Sequence, residues 1–497
     1  MTDTTPPTKD AATEPETTEP PKVSDDFVHR THTHKPSGLE YTTTTGRLVI
    51  RHEGIKDGNV EAVKPKAEIF ITAYTANLPE GTNPASRPVT FAFNGGPGSA
   101  SLWLHLGLLG PRRVDSGDVG ALTPPPFGIT DNVETLLKHS DLVMIDPVNT
   151  GYSRVVEGGK ADEFHAFVED RDLVAEVIRL WTTRNNHWLS PKYLVGESYG
   201  TLRAVAVAGR LFDAYGMAVN GLGLISSVLN LSTVSFPHGA NDAYPLHLPT
   251  YAAIAHYHGL LPDKTLEEAV RDAEEFARKD FTLALAEGNR LAPEAMNAVV
   301  LKIAELTALS PEFIRRKNLR WTYIEFAHEL LREKGLMVGR IDGRFSFQPS
   351  DLQASDAYED PSIDAITGPY AAAINHYIRS ELGYENDLPY EVLSGRVQPW
   401  SYRTFEGEPI DVSRTLERLM VRNPHLRVHV DYGYYDGATP HFAAEFTFAQ
   451  LQLSEDAKAR FSHHYHEAGH MMYLLPEARE AQLAALADFV RVSGGEA

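Results

Sequence analysis

The stretch YLVGESYGTLRAVAVAGRLF, residues 193–212, decides how the rest of the chain is read. Tyr193-Leu-Val is a short β-type run, and Thr201 to Phe212, rich in Ala, Val, Leu and Arg, suits a helix. Gly196-Glu-Ser-Tyr-Gly200 joins them. A serine at the centre of so sharp a strand-to-helix turn sits on strained backbone, and small flanking residues are needed where neighbouring main chain passes close by. This is the setting of a GxSxG nucleophile. A buried serine in a glycine-rich turn has the same five letters, so the flanking sequence must decide.

Working outward, the apolar runs Val89 to Phe93, Asp141 to Ile145 and Gly221 to Val228 read as further strands. Residues 164–184 carry Phe167, Leu173, Val174, Val177, Ile178 and Trp181 at helical spacing. Strand, loop, helix, strand at this rhythm predicts βαβ units and a largely parallel sheet. Before them, Gly46 to Arg51 and Ala67 to Ala73 suggest an antiparallel hairpin region. After Tyr244 the texture turns helical: Leu248–His258, Thr265–Arg278, Pro293–Leu309, Pro311–Lys317, Ile324–Lys334 and Pro369–Leu382. Strand character returns at Leu426 to Val430, and Pro476 to Val492 reads as a last helix with Leu483, Leu486, Phe489 and Val490 on one stripe.

Residues 1–37, rich in Thr, Pro, Glu and Asp, read as a disordered acidic tail. Its His29, His32 and His34 are expected to be solvated rather than metal-bound. The acidic segment Ser350 to Asp364 lacks the alternating ligand spacing of an EF-hand loop and reads as a solvated loop. The chain has 497 residues and a net charge of -21, which argues against nucleic acid or an anionic membrane as partner. It has no cysteine, so disulfides, thiol catalysis and Cys-ligated metals are excluded. No basic-then-apolar leader and no apolar run of membrane-spanning length is visible, so a cytoplasmic location is expected.

A GxSxG serine in an α/β-hydrolase fold needs an acid and then a histidine, each in a loop just past a strand. Leu426 to Val430 leads into Asp431-Tyr-Gly-Tyr-Tyr-Asp436-Gly-Ala-Thr-Pro440, which carries the acid. Arg460 to Tyr465 leads into His466-Glu-Ala-Gly-His470, where His470 is the natural base and His466 the alternative. That same stretch spells HExxH, the zinc-protease pattern, which requires both histidines on one helical face. Alternation at Phe461, His463 and Tyr465 suits a strand instead, and Gly469 is a poor helix former. No metal and no cofactor is expected. An oxyanion hole would draw one backbone N–H from Tyr199 and another from the loop Phe93-Asn-Gly-Gly-Pro-Gly98.

Asn94-Gly-Gly-Pro-Gly98, Asp146-Pro-Val-Asn-Thr-Gly-Tyr-Ser153, Gly196-Glu-Ser-Tyr-Gly200, Gly433-Tyr-Tyr-Asp436 and Gly469-His-Met471 together resemble, in order and context, the serine carboxypeptidase family, and Leu108 to Val114 is similar to its bacterial members. The resemblance runs from about Tyr41 to the C-terminus. It implies an α/β-hydrolase fold with a mostly parallel central sheet: core over 38–240 and 396–497, helical insertion over 241–395. It further implies Ser198 as nucleophile, His470 as base, Asp436 as its orienting acid, and the N–H groups of Gly96 and Tyr199 as oxyanion donors. Asn94, Gly95 and Glu197 would receive the free carboxylate of a peptide substrate.

One departure stands out. The family carries a second glutamate fourteen residues after the asparagine of this loop, and the ungapped spacing to Gly110-Pro111 puts Leu108 there. A less acidic optimum, weaker carboxylate anchoring, or both are therefore expected, with Arg112 or Arg113 as candidate replacements. The absence of cysteines fits an intracellular bacterial member. The leading expectation is a serine carboxypeptidase; an esterase, amidase or acyltransferase on small acyl compounds is the rival.

Overall fold

A computed structural model describes residues 23–56, 59–115, 119, 123–351 and 359–494. The main sheet starts from three antiparallel strands, β1 (Val28–His34), β2 (Leu39–Lys56) and β3 (Asn59–Ala76). Six parallel strands follow, β4 (Val89–Phe93), β5 (Asp141–Ile145), β6 (Lys192–Glu197), β7 (Gly221–Ile225), β8 (Arg427–Gly433) and β9 (Phe461–His466), and a two-residue strand, Arg154–Val155, pairs antiparallel with β3 outside this series. Their order across the sheet is β1-β2-β3-β5-β4-β6-β7-β8-β9, with β3 antiparallel to β5. β4, β5, β6 and β7 are buried along their whole length, which is why each reads as an unbroken apolar run rather than an alternation.

β1 corrects the reading of residues 1–37 as a disordered tail. Val28 to His34 pairs residue for residue with Thr45 to Leu39 of β2. The strand is almost free of apolar side chains, so composition hides it; backbone ladder bonds and the Thr-rich partner strand hold it instead. Its histidines are engaged. The His32 ring stacks on Tyr41 with centroids 5.5 Å apart, and His34 Nε2 meets the carbonyl of Asn132 at 3.0 Å. Residues 1–22 lie outside the described residues.

Helices cover both faces of the sheet. α1 (Phe167–Arg184) and α2 (Tyr199–Tyr215) pack on one face with Phe91, Val143, Leu194 and Leu224. The other face is closed by Leu102 to Leu109 and by the C-terminal helix, whose Leu483, Leu486, Phe489 and Val490 are buried as the stripe predicted. Between β7 and β8 lie α3 (Ala243–Tyr257), α4 (Leu266–Phe276), α5 (Pro293–Thr307) and α6 (Pro361–His376). α3 to α5 enclose a separate apolar cluster around Tyr251, Phe281, Ile303, Trp321 and Phe326. α6 starts at Pro361, capped by Asp360, inside the segment expected to be loop through Asp364. Residues 352–358 of that acidic segment lie outside the described residues.

The helical region is stapled to the ends of β8 and β9 by one short segment. The carbonyl of Arg340 accepts from the amide of Gly437 at 3.0 Å, that of Ile341 from His470 at 2.7 Å, and that of Tyr435 from Gly343 at 2.9 Å. Asp360 accepts from the amides of Arg340 and Ile341, so the segment is itself held from behind.

Candidate active site

Ser198 stands between β6 and α2 with φ 61° and ψ -130°, a conformation costly for a residue with a Cβ. Close approach enforces the turn: a Cβ on Gly196 would lie 2.1 Å from the carbonyl oxygen of Gly200. The loop after β4 comes equally near, since a Cβ on Gly95 would lie 2.6 Å from the amide nitrogen of Tyr199. That amide is in the first turn of α2, where no intrahelical acceptor exists. The loop bearing Gly96 and the Tyr199 amide therefore face the same small volume.

The loop is held by buried charge. Arg203 of α2 pairs with Asp170 of α1 at 2.7 Å and donates to the carbonyl of Asn94 at 2.5 Å. Asp146, at the end of β5, accepts from both the amide and the hydroxyl of Ser101 at 2.7 Å and from Tyr390 at 2.9 Å. Neither carboxylate is exposed to water.

His470 and Asp436 meet just beyond the ends of β9 and β8. His470 Nδ1 lies 2.8 Å from Asp436 Oδ2, which leaves Nε2 as an acceptor. The Asp436 carboxylate also takes the amides of Ala438 and Thr439 at 2.8 and 2.9 Å and the Thr439 hydroxyl at 2.7 Å. Burial alone would raise its proton affinity, but His470 and these donors outweigh that and hold it below the ordinary carboxylate range. For His470, burial opposes charge while Asp436 and Glu197 favour it, and the balance lies above the ordinary imidazole value.

His466 belongs elsewhere. Its Nε2 lies 2.8 Å from Asp431 Oδ1, and His429 holds the other oxygen of Asp431 at 2.8 Å. The HExxH letters thus start at the end of a strand and run into a loop, with their two histidines turned to separate carboxylates. A second group with metal-ligand chemistry, Glu274, His441 and Glu445, has ligand atoms within 4.8 Å of one another. Its carboxylates already accept from Arg278 and Tyr465.

Ser198 and His470 line a cleft of about 620 Å³ together with Asn94, Gly95, Gly96, Glu197 and Tyr199, so the sequence-predicted residues other than the buried Asp436 converge on its wall. Asn94 Nδ2 donates to Glu197 Oε1 at 2.8 Å, and Asn94 Oδ1 accepts the amide of Leu104. The other oxygen of Glu197 accepts from the Tyr473 hydroxyl at 2.7 Å. Burial pushes the Glu197 carboxyl up to about 7, with His470, Tyr473 and Asn94 pulling the other way. Leu108 is fully buried in the apolar cluster behind this wall. Arg112 pairs with Asp131 and Glu381, and Arg113 donates to a neighbouring carbonyl; neither lines the cleft. What completes the shell of Glu197 is Tyr473, and nothing in its local sequence marked it for that contact.

A nucleophile elbow on a mostly parallel sheet, with an acid–histidine pair past the next strands, defines an α/β-hydrolase. A family model described as serine carboxypeptidase matches residues 58–474, and the chain belongs to that family. A search of curated protein sequences returned no match. Among solved structures, the chain is similar to Kex1(delta)p, a prohormone-processing carboxypeptidase from Saccharomyces cerevisiae, with a TM-score of 0.54 and 14% identity, covering 92% of this chain and 91% of that one. A proline iminopeptidase from Mycobacterium smegmatis matches at a TM-score of 0.37 and 14% identity, over 90% of this chain and 99% of the other. At 14% identity the likeness to Kex1(delta)p is one of fold. The chain is a serine-type carboxypeptidase by family. No helix among the described residues is long and apolar enough to cross a membrane.

Proposed function

We propose that Ser198, His470 and Asp436 form the catalytic triad of a carboxypeptidase that releases the C-terminal residue of a peptide through an acyl-enzyme. The observation carrying this reading is the 2.8 Å contact between the buried Asp436 and His470, which lines the same cleft as the strained Ser198 and the Asn94–Glu197 pair. Ser198 Oγ attacks the scissile carbonyl while His470 Nε2 takes its proton, and the backbone N–H groups of Gly96 and Tyr199 receive the oxyanion. His470 then hands the proton to the departing amine. A water, deprotonated by the same imidazole, attacks the acyl carbon and frees Ser198. Residues 241–395 act as the insertion that roofs the cleft.

Asn94, Gly95 and Glu197 anchor the substrate's α-carboxylate. Two carboxylates repel, so Glu197 must be protonated to donate to the substrate. With its carboxyl at about 7, that condition holds up to neutral pH. This supports an optimum less acidic than a pair of facing glutamates would give. The test is hydrolysis of an N-blocked dipeptide against its C-terminal amide from about pH 4 to 9. Strong preference for the free acid supports the reading. Equal turnover of the amide transfers the site to esterase or amidase chemistry. Ser198→Ala should lower kcat by roughly 10⁴–10⁶ and abolish labelling by a fluorophosphonate.

A further inference from the structure

One arginine lines the cleft of Ser198: Arg340, from the segment that staples the helical region to the catalytic loops. Its main chain is fixed at both ends, the amide on Asp360 and the carbonyl on Gly437. Its side chain is half-buried and has no hydrogen-bond or ion-pair partner among the described residues. The acids around it are committed elsewhere. Asp360 Oδ2 accepts from two backbone amides and Oδ1 from Ser362. Asp342 is locked to Arg344 at 2.7 Å. Glu197, the acid on the cleft wall, accepts from Asn94 and Tyr473.

Arg203, Arg112 and Arg344 each pair with a carboxylate, and the partly buried Arg154 and Arg460 are held by backbone carbonyls. Arg340 differs in facing the volume that substrate must enter. A guanidinium there is a planar fork matched to a carboxylate, and such a pair is charge-assisted. The α-carboxylate already has a protonatable partner in Glu197. A second anion is accommodated by Arg340, which reaches the cleft from beside Ala438 and Thr439.

We propose that Arg340 is a specificity-determining residue that pairs with an acidic side chain of the substrate next to the scissile bond, so that the preferred peptides carry Asp or Glu there. The proposal rests on the carboxypeptidase reading for its substrate class. It also has a catalytic corollary. The charge of Arg340 opposes protonation of His470. A carboxylate bound to Arg340 cancels that opposition as the imidazolium forms, so the preference should appear in kcat as well as in KM.

The test uses the full-length enzyme and N-blocked dipeptides in Glu and Gln pairs, isosteric but differing in charge, placed in turn on either side of the scissile bond. Wild type should favour Glu over Gln at one of the two positions on the order of ten- to a hundredfold in kcat/KM, the range of a charge-assisted hydrogen bond. Arg340→Gln should bring that ratio near one, and Arg340→Lys should restore part of it. A wild type indifferent to Glu and Gln at both positions overturns the proposal. So does Arg340→Gln lowering both substrates alike, or changing only the ratio of free acid to amide, which would assign the guanidinium to the α-carboxylate. If no free-acid dipeptide is cleaved, the carboxypeptidase reading fails by itself. The Glu/Gln ratio on N-blocked amino-acid esters then still tests Arg340 on the acyl side.

Discussion

Two carboxylate–imidazole pairs stand side by side at the carboxyl ends of β8 and β9, with the same 2.8 Å contact and different surroundings. Asp431 lies within β8, and both its oxygens end on imidazoles, His429 and His466, inside the sheet. Asp436 lies five residues on, past the strand. One of its oxygens takes backbone amides, and the other takes Thr439 and an imidazole that borders the cleft. Distance and pairing do not separate a catalytic dyad from a structural one. What separates them is whether the far nitrogen of the histidine opens onto space that a reactant can occupy.

The sharpest way to break this comparison is to delete each histidine. His470→Ala should lower kcat by roughly 10⁴–10⁶ with the fold retained by circular dichroism. His466→Ala should leave turnover per folded molecule within about tenfold and instead lower the melting temperature. Comparable losses of turnover in both variants would mean that the two pairs share the chemistry.

The acids should divide in the same way. Asp436→Asn, which removes the group that selects the imidazole tautomer, should lower kcat on the order of 10⁴-fold. Asp431→Asn breaks a fully buried charged network and should cost about 3–5 kcal/mol in chemical denaturation. Burial would raise the proton affinity of Asp431, but its two histidines hold it well below the usual carboxylate range. Its stabilisation is therefore present above its unfolded value and lost as pH falls through the folded one. Asp431→Asn should flatten that acid loss of stability, a change visible in melting temperature below about pH 4.

The next effect is one of pH. His470 must be neutral to act as base, which sets an acid limb above the ordinary imidazole value. Glu197 must be protonated only when a free carboxylate is bound. For a free-acid dipeptide kcat/KM should therefore fall again as pH rises through about 7, whereas a C-terminally blocked ester should show no such fall. The smallest effect is at Tyr473. Its hydroxyl favours the ionised form of Glu197, so Tyr473→Phe should move the alkaline limb for free acids upward and leave the ester profile in place. A shift shared by both substrates would assign Tyr473 to packing instead.

The strands leading to the serine turn and its facing loop were legible because each is buried on both faces, whereas β9, leading to His470, is half-exposed and read as a strand from its alternation. Val89 to Phe93 and Asp141 to Ile145 read as apolar runs and end where the runs end. The serine turn was legible because its glycines and its strand-helix context coincide in one stretch. β1 was hidden because a strand held by ladder bonds and Thr–His contacts has no apolar alternation to read. The spacing at Leu108 pointed to replacements nearby in sequence, at Arg112 and Arg113, and neither lines the cleft. The actual partner, Tyr473, lies 276 residues from Glu197, and Arg340 enters from the middle of the helical region. Contacts of that sequence separation leave no local pattern, because they depend on how the insertion and the last strand come together.

The staple at Gly339 to Arg344 joins the helical region and the loops of Asp436 and His470 into one mechanical part. The amide of His470 and the amide next to Asp436 both hang from carbonyls of the helical region, so swinging that region away would loosen His470 and Asp436 together. A roof transplanted from a relative to change selectivity would have to bring its own pair of correctly aimed carbonyls, or it would alter specificity only by dulling the catalyst.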